Sequence, residues 1–320
     1  EDLHWADPTT LEFLNLLVDQ IATTPIFALF TFRPNFIPPW GSRAYLTNLS
    51  VHRLTQKKSI DMVQHLTGSK PLPSEVLEQI LTKTDGVPLF VEELTKMVLE
   101  SGLLREGLKE YTLAGKFIPL KIPMTLQDSL MARLDRLSSA KELVQLCSIL
   151  GKEFTSEMLL AIRPHAKQML QQGLKQLVES ELLYQRGVFP KAKYIYKHAL
   201  IQETAYQSML KNTRRRYHRK IADVLVKNFS ESSTTQPEVV AHHYSEAGLK
   251  AEAISYWQQA GQRAVERFAN QEAIAHLTKG LELLKDQPEN PEHTRQELML
   301  QLAMGPTLSS LKGFAAPEVE

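Results

Sequence analysis

Three charged side chains near the start of the chain are of the types that nucleotide chemistry uses. Glu1 and Asp2 are neighbouring carboxylates, and Arg33 lies between an apolar run, residues 25–32, and a proline. Magnesium in proteins is usually held by one or two carboxylates together with water and phosphate oxygens, and a guanidinium can make paired hydrogen bonds to a phosphate. The residue types alone leave a second interpretation open, in which the acids are solvated and Arg33 pairs with a carboxylate.

The elements around these side chains predict a sheet edge. Asp7 and Pro8 are typical of a helix start, and the apolar spacing predicts a helix over residues 7–21. Residues 25–32 are continuously apolar, which is typical of a strand buried on both faces of a parallel sheet. Because ligands of open α/β sheets bind beyond the carboxyl ends of strands, we expect the acids and Arg33 to face one cleft.

The middle of the chain is predicted to be helical. Short helices followed by one β-like run are typical of a winged-helix domain. The predicted elements are helices at about 57–66, 74–84 and 88–101, several short helices within 122–187, a β-like run at 193–197 and a long helix near 210–224.

The last part of the chain has small residues at positions typical of tetratricopeptide repeats, in which they let two antiparallel helices approach closely. These positions are Ala260, Gly261, Ala264, Ala273 and Gly280. A single unit of this kind cannot bury its own apolar face, so we expect the array to continue beyond residue 320.

Several motifs, in this order, resemble the signal-transduction (STAND) branch of the AAA-like ATPases. They are EDLHWADPTTLEFL, TFRP, TDGVPLFVEEL, KHALIQETAYQSML and LKGFAAPEVE. More narrowly, they resemble the predicted ATPase modules attached to bacterial adenylate or guanylate cyclases, to serine/threonine kinases or to transcription regulators. The resemblance covers essentially the whole chain.

The resemblance implies a mainly α fold class with four segments. These are a truncated α/β P-loop NTPase remnant with Walker B and sensor 1 (1–54), a helical lid with a GxP motif (55–120), a winged-helix-like domain (121–229) and an incomplete TPR-like α-solenoid (238–320).

The resemblance also implies roles for four residues, with ATP and Mg²⁺ as cofactors. Glu1 would orient the magnesium ion and its water shell, and Asp2 would position the attacking water. Arg33 would sense the γ-phosphate. Pro88 of the GxP motif would pack against adenine; its other interpretation is an ordinary helix start after Gly86.

The sequence has no G-x-x-x-x-G-K-[ST] phosphate-binding loop and no G-x-G-x-x-G motif. We therefore expect a fragment that starts at Walker B and binds ATP weakly or not at all. The expected function is that of an ATP-dependent regulator, in which nucleotide state rearranges lid, winged helix and repeats to control an effector. The alternatives are a non-enzymatic protein-interaction scaffold and a DNA-binding transcriptional regulator.

Composition narrows the classes of protein further. The 37 basic and 36 acidic residues nearly balance, which argues against a general polyanion-binding surface, and one cysteine, Cys147, excludes an internal disulfide. The longest apolar run is far shorter than the roughly 20 residues of a membrane helix. We expect a soluble cytoplasmic protein that binds protein partners through its repeats, with no membrane partner.

Three further groups of residues have plain structural interpretations. The basic stretch 211–220 is predicted to be the solvated side of a packed helix, so nucleic acid is not an expected partner. His242 and His243 lack metal-ligand spacing. Glu92 and Glu93 are expected to be solvated acids.

Overall fold

The structure, a computed structural model, describes residues 1–115, 125–137, 140–229, 234 and 236–312. These residues are mainly helical, which confirms the predicted mainly α class. The helices are α1 (Pro8–Ile21), α2 (Gln56–Leu66), α3 (Ser74–Thr84), α4 (Pro88–Glu100), α5 (Leu126–Arg136), α6 (Lys141–Ile149), α7 (Ser156–Ile162), α8 (Lys167–Glu179), α9 (Ala199–Gln207), α10 (Lys211–Asn228), α11 (Pro237–Ala247), α12 (Lys250–Glu266), α13 (Asn270–Lys285) and α14 (Pro291–Lys312). The strands are β1 (Leu104–Glu106), β2 (Tyr111–Leu113), β3 (Glu153–Thr155), β4 (Leu183–Arg186) and β5 (Lys193–Tyr196). No helix of the described residues is long and apolar enough to cross a membrane.

Helix α1 forms as its sequence predicts. The Asp7 side chain accepts a hydrogen bond from the Thr10 amide, and Pro8 occupies the first turn, where its missing amide hydrogen costs nothing. Val18 is fully buried in a small apolar cluster with Leu3. The cluster ties the helix to the segment that carries the two acids.

The strand predicted over residues 25–32 is wrong. Among the described residues this run belongs to no strand, and the side chains of Phe27 and Leu29 are 90% and 72% exposed. A buried strand needs a hydrogen-bonding neighbour on each side. The run finds a short partner at Leu3, whose amide donates to the Thr31 carbonyl over 2.9 Å.

The chain divides into two compact units, Ser50–Arg214 and Glu1–Leu49 together with Arg215–Glu320. This division is coarser than the four segments expected from the sequence, which stay predictions. Each unit has its own apolar clusters, so each can be described by itself.

Helix α4 is the central element of the unit Ser50–Arg214. Phe90, Val91, Leu94 and Met97 are buried along it and pack with residues of α2, α3 and β1. Strands β1 and β2 form an antiparallel hairpin, with Leu104 opposite Leu113.

The same unit contains a three-stranded antiparallel sheet in the order β3-β5-β4. Its chain order is helix α6, strand β3, helices α7 and α8, then strands β4 and β5. The sequence predicted β5 at residues 193–197 and missed β3 and β4. Tyr194 and Tyr196 on β5 are almost fully buried, so the central strand anchors the sheet to its helices.

Gly86 of the GxP motif has a packing role. Its φ is +69°, a left-handed conformation that glycine adopts without steric cost. Its carbonyl accepts a hydrogen bond from the Leu54 amide over 2.7 Å, and a Cβ at this position would lie inside the van der Waals radius of the Leu54 carbonyl oxygen. The backbone approach therefore requires glycine.

We expect Gly86→Ala to lower the free energy of unfolding by about 2–4 kcal/mol, because left-handed strain and a backbone clash add. Gly102→Ala is the matched control: Gly102 has φ +73° but open space around the Cβ position, so strain alone should cost about 1–2 kcal/mol. Urea unfolding of the two variants measures the difference. Equal losses would show that the contact with Leu54 is not restrictive.

Small residues lie in the interface between α12 and α13. Ala260, Gly261, Ala273 and Gly280 are all buried. A Cβ added to Gly261 would lie 2.5 Å from Leu277 Cδ2. The spacing of small residues predicted this close approach, although the repeat class stays a prediction.

Candidate functional site

The segment that carries the two acids lies beside the end of the apolar run. Asp2 has a left-handed backbone, with φ 56°, and precedes a short 3-10 turn, Leu3–Trp5. The Asp2 amide donates to Thr31 Oγ1 over 2.9 Å, next to the bond from the Leu3 amide to the Thr31 carbonyl. These two hydrogen bonds hold Asp2 beside Thr31, which precedes the predicted sensor Arg33 by two positions in the chain. Glu1 precedes it and is exposed.

Arg33 is exposed and lies over the aromatic ring of Trp5, a residue of the motif that carries the two acids. Its guanidinium carbon lies 5.4 Å from the ring centroid of Trp5, within the range of a cation–π contact. Among the described residues, no carboxylate pairs with Arg33. Trp5 was missed as a candidate. The sequence signal was a tryptophan three residues after Asp2 in EDLHWAD, and the structure shows that its side chain is exposed.

His4 lies between the acids and Trp5 in the chain. Both ring nitrogens of His4 are buried, and neither finds a hydrogen-bond partner within the part of the chain that the structure describes. Its ring centroid is 4.7 Å from that of Trp5. No role was predicted for His4, whose packing against Trp5 helps to hold the aromatic ring under Arg33.

Pro88 lies in the other compact unit, at the first position of α4. The interpretation of Pro88 as a helix start after Gly86 is confirmed. Its contact with adenine stays a prediction.

The donor atoms of the first segment suit part of a magnesium–nucleotide site. Carboxylates are the hard oxygen ligands that Mg²⁺ prefers, and Mg²⁺ often takes one or two of them. Among the described residues, no group of three His, Cys, Asp or Glu side chains converges as a metal site. Glu1 and Asp2 offer two carboxylates, magnesium binding stays a prediction, and the sequence contains no P-loop that would hold the phosphates of a nucleotide.

The prediction that Glu92 and Glu93 are solvated is wrong. Glu93 is 1% exposed, and its Oε2 accepts a hydrogen bond from Nη1 of Arg133 on α5, itself 5% exposed. Nη2 of Arg133 donates to the carbonyl of Ser180, which ends α8. A charged residue is buried this deeply because it is paired. The pair joins α4, α5 and α8.

Glu92 is the centre of a second ion-pair group. Its Oε1 accepts hydrogen bonds from Nζ of Lys197 over 2.6 Å and of Lys96 over 2.8 Å, and both lysines also pair with Glu181. Burial raises the pKa of Glu92, but the hydrogen bonds from the two lysines outweigh burial and bring the pKa to about 2. Lys197 begins the KHALIQETAYQSML motif, so this network gives the motif a structural role.

The basic helix α10 has the apolar side that its sequence predicts. Tyr217 and Ile221 are buried, whereas Arg215 and Arg216 on the same helix are exposed. Arg216 lies over the ring of Tyr217, with 5.4 Å between its guanidinium carbon and the ring centroid. A packed helix therefore accounts for the tyrosine in this basic stretch.

His243 is one of two buried histidines between α10 and α11. Its Nδ1 lies 2.9 Å from Nδ1 of His218. Burial and the neighbouring His218 and His242 lower the pKa of His243 to about 3, so this ring is neutral at physiological pH. The pair shares a hydrogen bond and, like the rest of the described chain, forms no convergent metal site.

Comparisons with known proteins give one informative similarity. No family model matches the chain. The chain is 27% identical over 325 residues to the uncharacterized protein R02095 of Rhizobium meliloti (strain 1021), and the match covers 99% of this chain. The chain spans 30% of that relative's length, so it is similar to one part of a much longer protein.

Proposed function

We propose that the chain is part of an ATP-dependent signal-transduction regulator of the STAND class. In the full-length protein, Glu1 and Asp2 face the magnesium of ATP, and Arg33 senses whether the γ-phosphate is present. Nucleotide state then changes the arrangement of lid, winged helix and repeats, which controls an attached effector such as a nucleotide cyclase or a kinase. The repeats bind the protein partner that is sensed.

One observation carries this proposal. The hydrogen bonds of Asp2 and Leu3 to Thr31 hold the acid motif beside the segment that ends in Arg33. Two carboxylates and a guanidinium therefore lie on adjacent backbone segments, although the residues are more than 30 positions apart in the chain. Charge of both signs at one place suits a magnesium–triphosphate, in which the metal and the phosphate oxygens need opposite partners.

Each chain residue in this site has a simple chemical task. When bound, Mg²⁺ would neutralise the phosphate charge that develops during transfer. Glu1 would hold the shell of water around the ion, and Asp2 would accept a proton from, or orient, the attacking water. Arg33, which lies over the Trp5 ring, would pair with phosphate oxygens.

Two further observations support the domain types in this proposal. The order helix, strand, two helices, two strands, with the last strand central in the sheet, suits a winged-helix domain. The buried small residues between α12 and α13 suit a tetratricopeptide unit. Pro88 at the start of α4 suits the GxP motif of a lid.

A second candidate is a non-enzymatic scaffold. Its supporting observation is that no segment of the 320 residues matches a P-loop, whereas the unit Ser50–Arg214 contains one buried ion pair, Glu93–Arg133, and one partly buried ion pair, Glu92–Lys197. In that case the acids and Arg33 are relics and only protein binding remains.

A nucleotide titration separates the two candidates. We expect this 320-residue chain to show no micromolar binding of a fluorescent ATP analogue, because the phosphates have no loop of backbone amides to hold them. A longer form of the protein that carries a P-loop ahead of Glu1 should bind the analogue and lose it to unlabelled ATP. Saturable binding by the short chain would contradict the expectation that this chain alone lacks the phosphate-binding part of the site. No binding by the full-length protein would favour the scaffold.

A further inference from the structure

Helix α10 carries four exposed cations on the side that faces solvent. Its other side is packed, with Tyr217, His218 and Ile221 buried. Residues 211–220 contain six basic residues and no acid, although the whole chain is nearly balanced in charge. The exposed cations, together called the basic face, are Arg215, Arg216, Arg219 and Lys220.

The charges of the basic face repel one another along the helix. Residues four positions apart are neighbours on a helix surface, and like charges at these positions are destabilising. Arg215 and Arg219 form one such pair, and Arg216 and Lys220 form another. Helix α10 also begins with Lys211, and a cation is unfavourable at the positive end of the helix dipole. The arrangement lowers the stability of the helix, so folding alone does not explain it.

Contacts within the chain neutralise little of this charge. Arg219 lies 3.9 Å from the carboxylate of Asp223, which is a long distance for an ion pair. In the part of the chain that the structure describes, no carboxylate pairs with the other three cations. They are solvated, as the sequence predicts, and their charge is open to an anionic partner.

The chemistry of the basic face favours a nucleic acid over a protein or a membrane. Protein interfaces are depleted of charged residues at their centre and depend on apolar or aromatic anchors, whereas every exposed residue of 211–220 is charged or polar. A membrane-bound helix inserts its apolar side, and that side of α10 is packed within the protein. Interfaces with DNA are much more positively charged, and a guanidinium matches the geometry of phosphate oxygens.

The shape of the same surface favours duplex DNA among nucleic acids. Proteins that bind single strands stack the bases on aromatic side chains, and the rings of Tyr217 and His218 are buried. The major groove of duplex RNA is too narrow for side chains to read, whereas that of DNA admits an α-helix. The convex side of α10 therefore suits the backbone of duplex DNA.

We propose that the basic face of α10 binds the phosphate backbone of duplex DNA without reading its sequence. Contacts to phosphates position a protein on the duplex but carry no sequence information. This binding activity is separate from the proposed ATP-dependent switch, which involves Glu1, Asp2 and Arg33.

The salt dependence of DNA binding by the 320-residue chain tests the proposal. Fluorescence anisotropy with a labelled duplex of mixed sequence, about 20 base pairs long, measures the dissociation constant. For four neutralised phosphates, we expect the constant to rise about 100-fold between about 50 and about 200 mM salt, because binding releases counterions. No binding at about 50 mM salt, or binding that salt does not weaken, would overturn the proposal.

A pair of glutamine substitutions assigns the binding to α10. Arg215→Gln with Lys220→Gln removes two of the four charges, so the dissociation constant should rise only about tenfold over the same salt range. Arg215→Lys with Lys220→Arg keeps both charges and should keep the full dependence. Lys57→Gln with Lys58→Gln removes two exposed lysines of α2 and is the matched control. An unchanged dependence in the glutamine pair, or an equal change in the control, would overturn the assignment to α10.

The glutamine pair should unfold at the same or a higher urea concentration, because it relieves like-charge repulsion. If it fails to fold, Arg216→Gln with Arg219→Gln removes the other two charges and provides the second test. An unchanged salt dependence in this second pair would again overturn the proposal.

Other polyanions separate DNA from the competing partners. Polyglutamate, duplex RNA and vesicles containing phosphatidylserine should each bind at least about tenfold more weakly than duplex DNA at the same salt concentration. Binding of any of them as tight as that of DNA would overturn the choice of duplex DNA. The full-length protein should bind DNA with the same salt dependence, and loss of binding there would show that another part of the protein covers the basic face and would overturn the proposal.

Discussion

Replacing Arg133 with alanine is expected to destabilise the unit Ser50–Arg214 by about 3–5 kcal/mol, because it leaves a buried carboxylate without its partner. Glu93 is 1% exposed and receives one hydrogen bond from Arg133, while its other oxygen, Oε1, is buried without a partner in the described chain. The Ser180 carbonyl at the end of α8 would lose its donor at the same time. Urea unfolding followed by circular dichroism measures the loss.

Two further variants show whether pairing is the cause. Arg136→Ala is the matched control on the same helix: Arg136 is 40% exposed and lies 3.9 Å from Glu100, so its loss should cost less than about 1 kcal/mol. The double variant Glu93→Leu with Arg133→Leu should recover most of the stability, since a buried ion pair can be replaced by apolar groups. A double variant as unstable as Arg133→Ala would contradict a pairing role for Arg133.

Local structure is predicted well where a capping residue is followed by apolar residues at helical spacing. Asp7 and Pro8 placed the start of α1, and Asp85 and Gly86 placed the break before α4. Strands β3 and β4, three and four residues long, were missed, because segments so short carry no alternation that could be counted. The pairing of β3 also depends on β5, which is distant in sequence.

The apolar run 25–32 shows the limit of a hydrophobic pattern. Its composition predicted a buried strand, yet burial depends on the strands beside it and not on the run itself. Phe27 is almost fully exposed. The hydrogen bond from the Leu3 amide to the Thr31 carbonyl pairs the run at one end.

Buried charges were mispredicted because their partners are far away in sequence. Glu93 lies three residues after Phe90 and four before Met97, so its place on the buried side of α4 was visible in the sequence. What the sequence could not show was Arg133, 40 positions later, which makes the burial possible. His218, three residues before Ile221 on the apolar side of α10, carried a similar signal.

The acids and Arg33 were chosen by motif, and the structure adds the contact that orients the arginine. Thr31 holds Asp2 near the end of the run, and Trp5 lies against the Arg33 guanidinium. Neither partner follows from residue type, because both depend on a turn at Asp2 with a left-handed backbone. Pro88 remains a motif-based prediction.

Asp2→Asn in the full-length protein is expected to lower single-turnover ATP hydrolysis by about 10²–10⁴-fold, because a carboxylate that accepts a proton from the attacking water is lost. Asparagine has nearly the same size and still accepts a hydrogen bond, so the bond from the residue 2 amide to Thr31 Oγ1 should persist. Binding of ATP should change little. Asp19→Asn is the matched control: Asp19 is an exposed acid of α1 that pairs with Arg43 at 3.3 Å.

Single-turnover hydrolysis and ATP affinity, measured side by side on Asp2→Asn and Asp19→Asn, test the central claim most directly. The account predicts that hydrolysis collapses in Asp2→Asn alone while both variants bind ATP like the unsubstituted protein. Undiminished turnover in Asp2→Asn would contradict the placement of the Glu1–Asp2 pair at a magnesium-bound triphosphate.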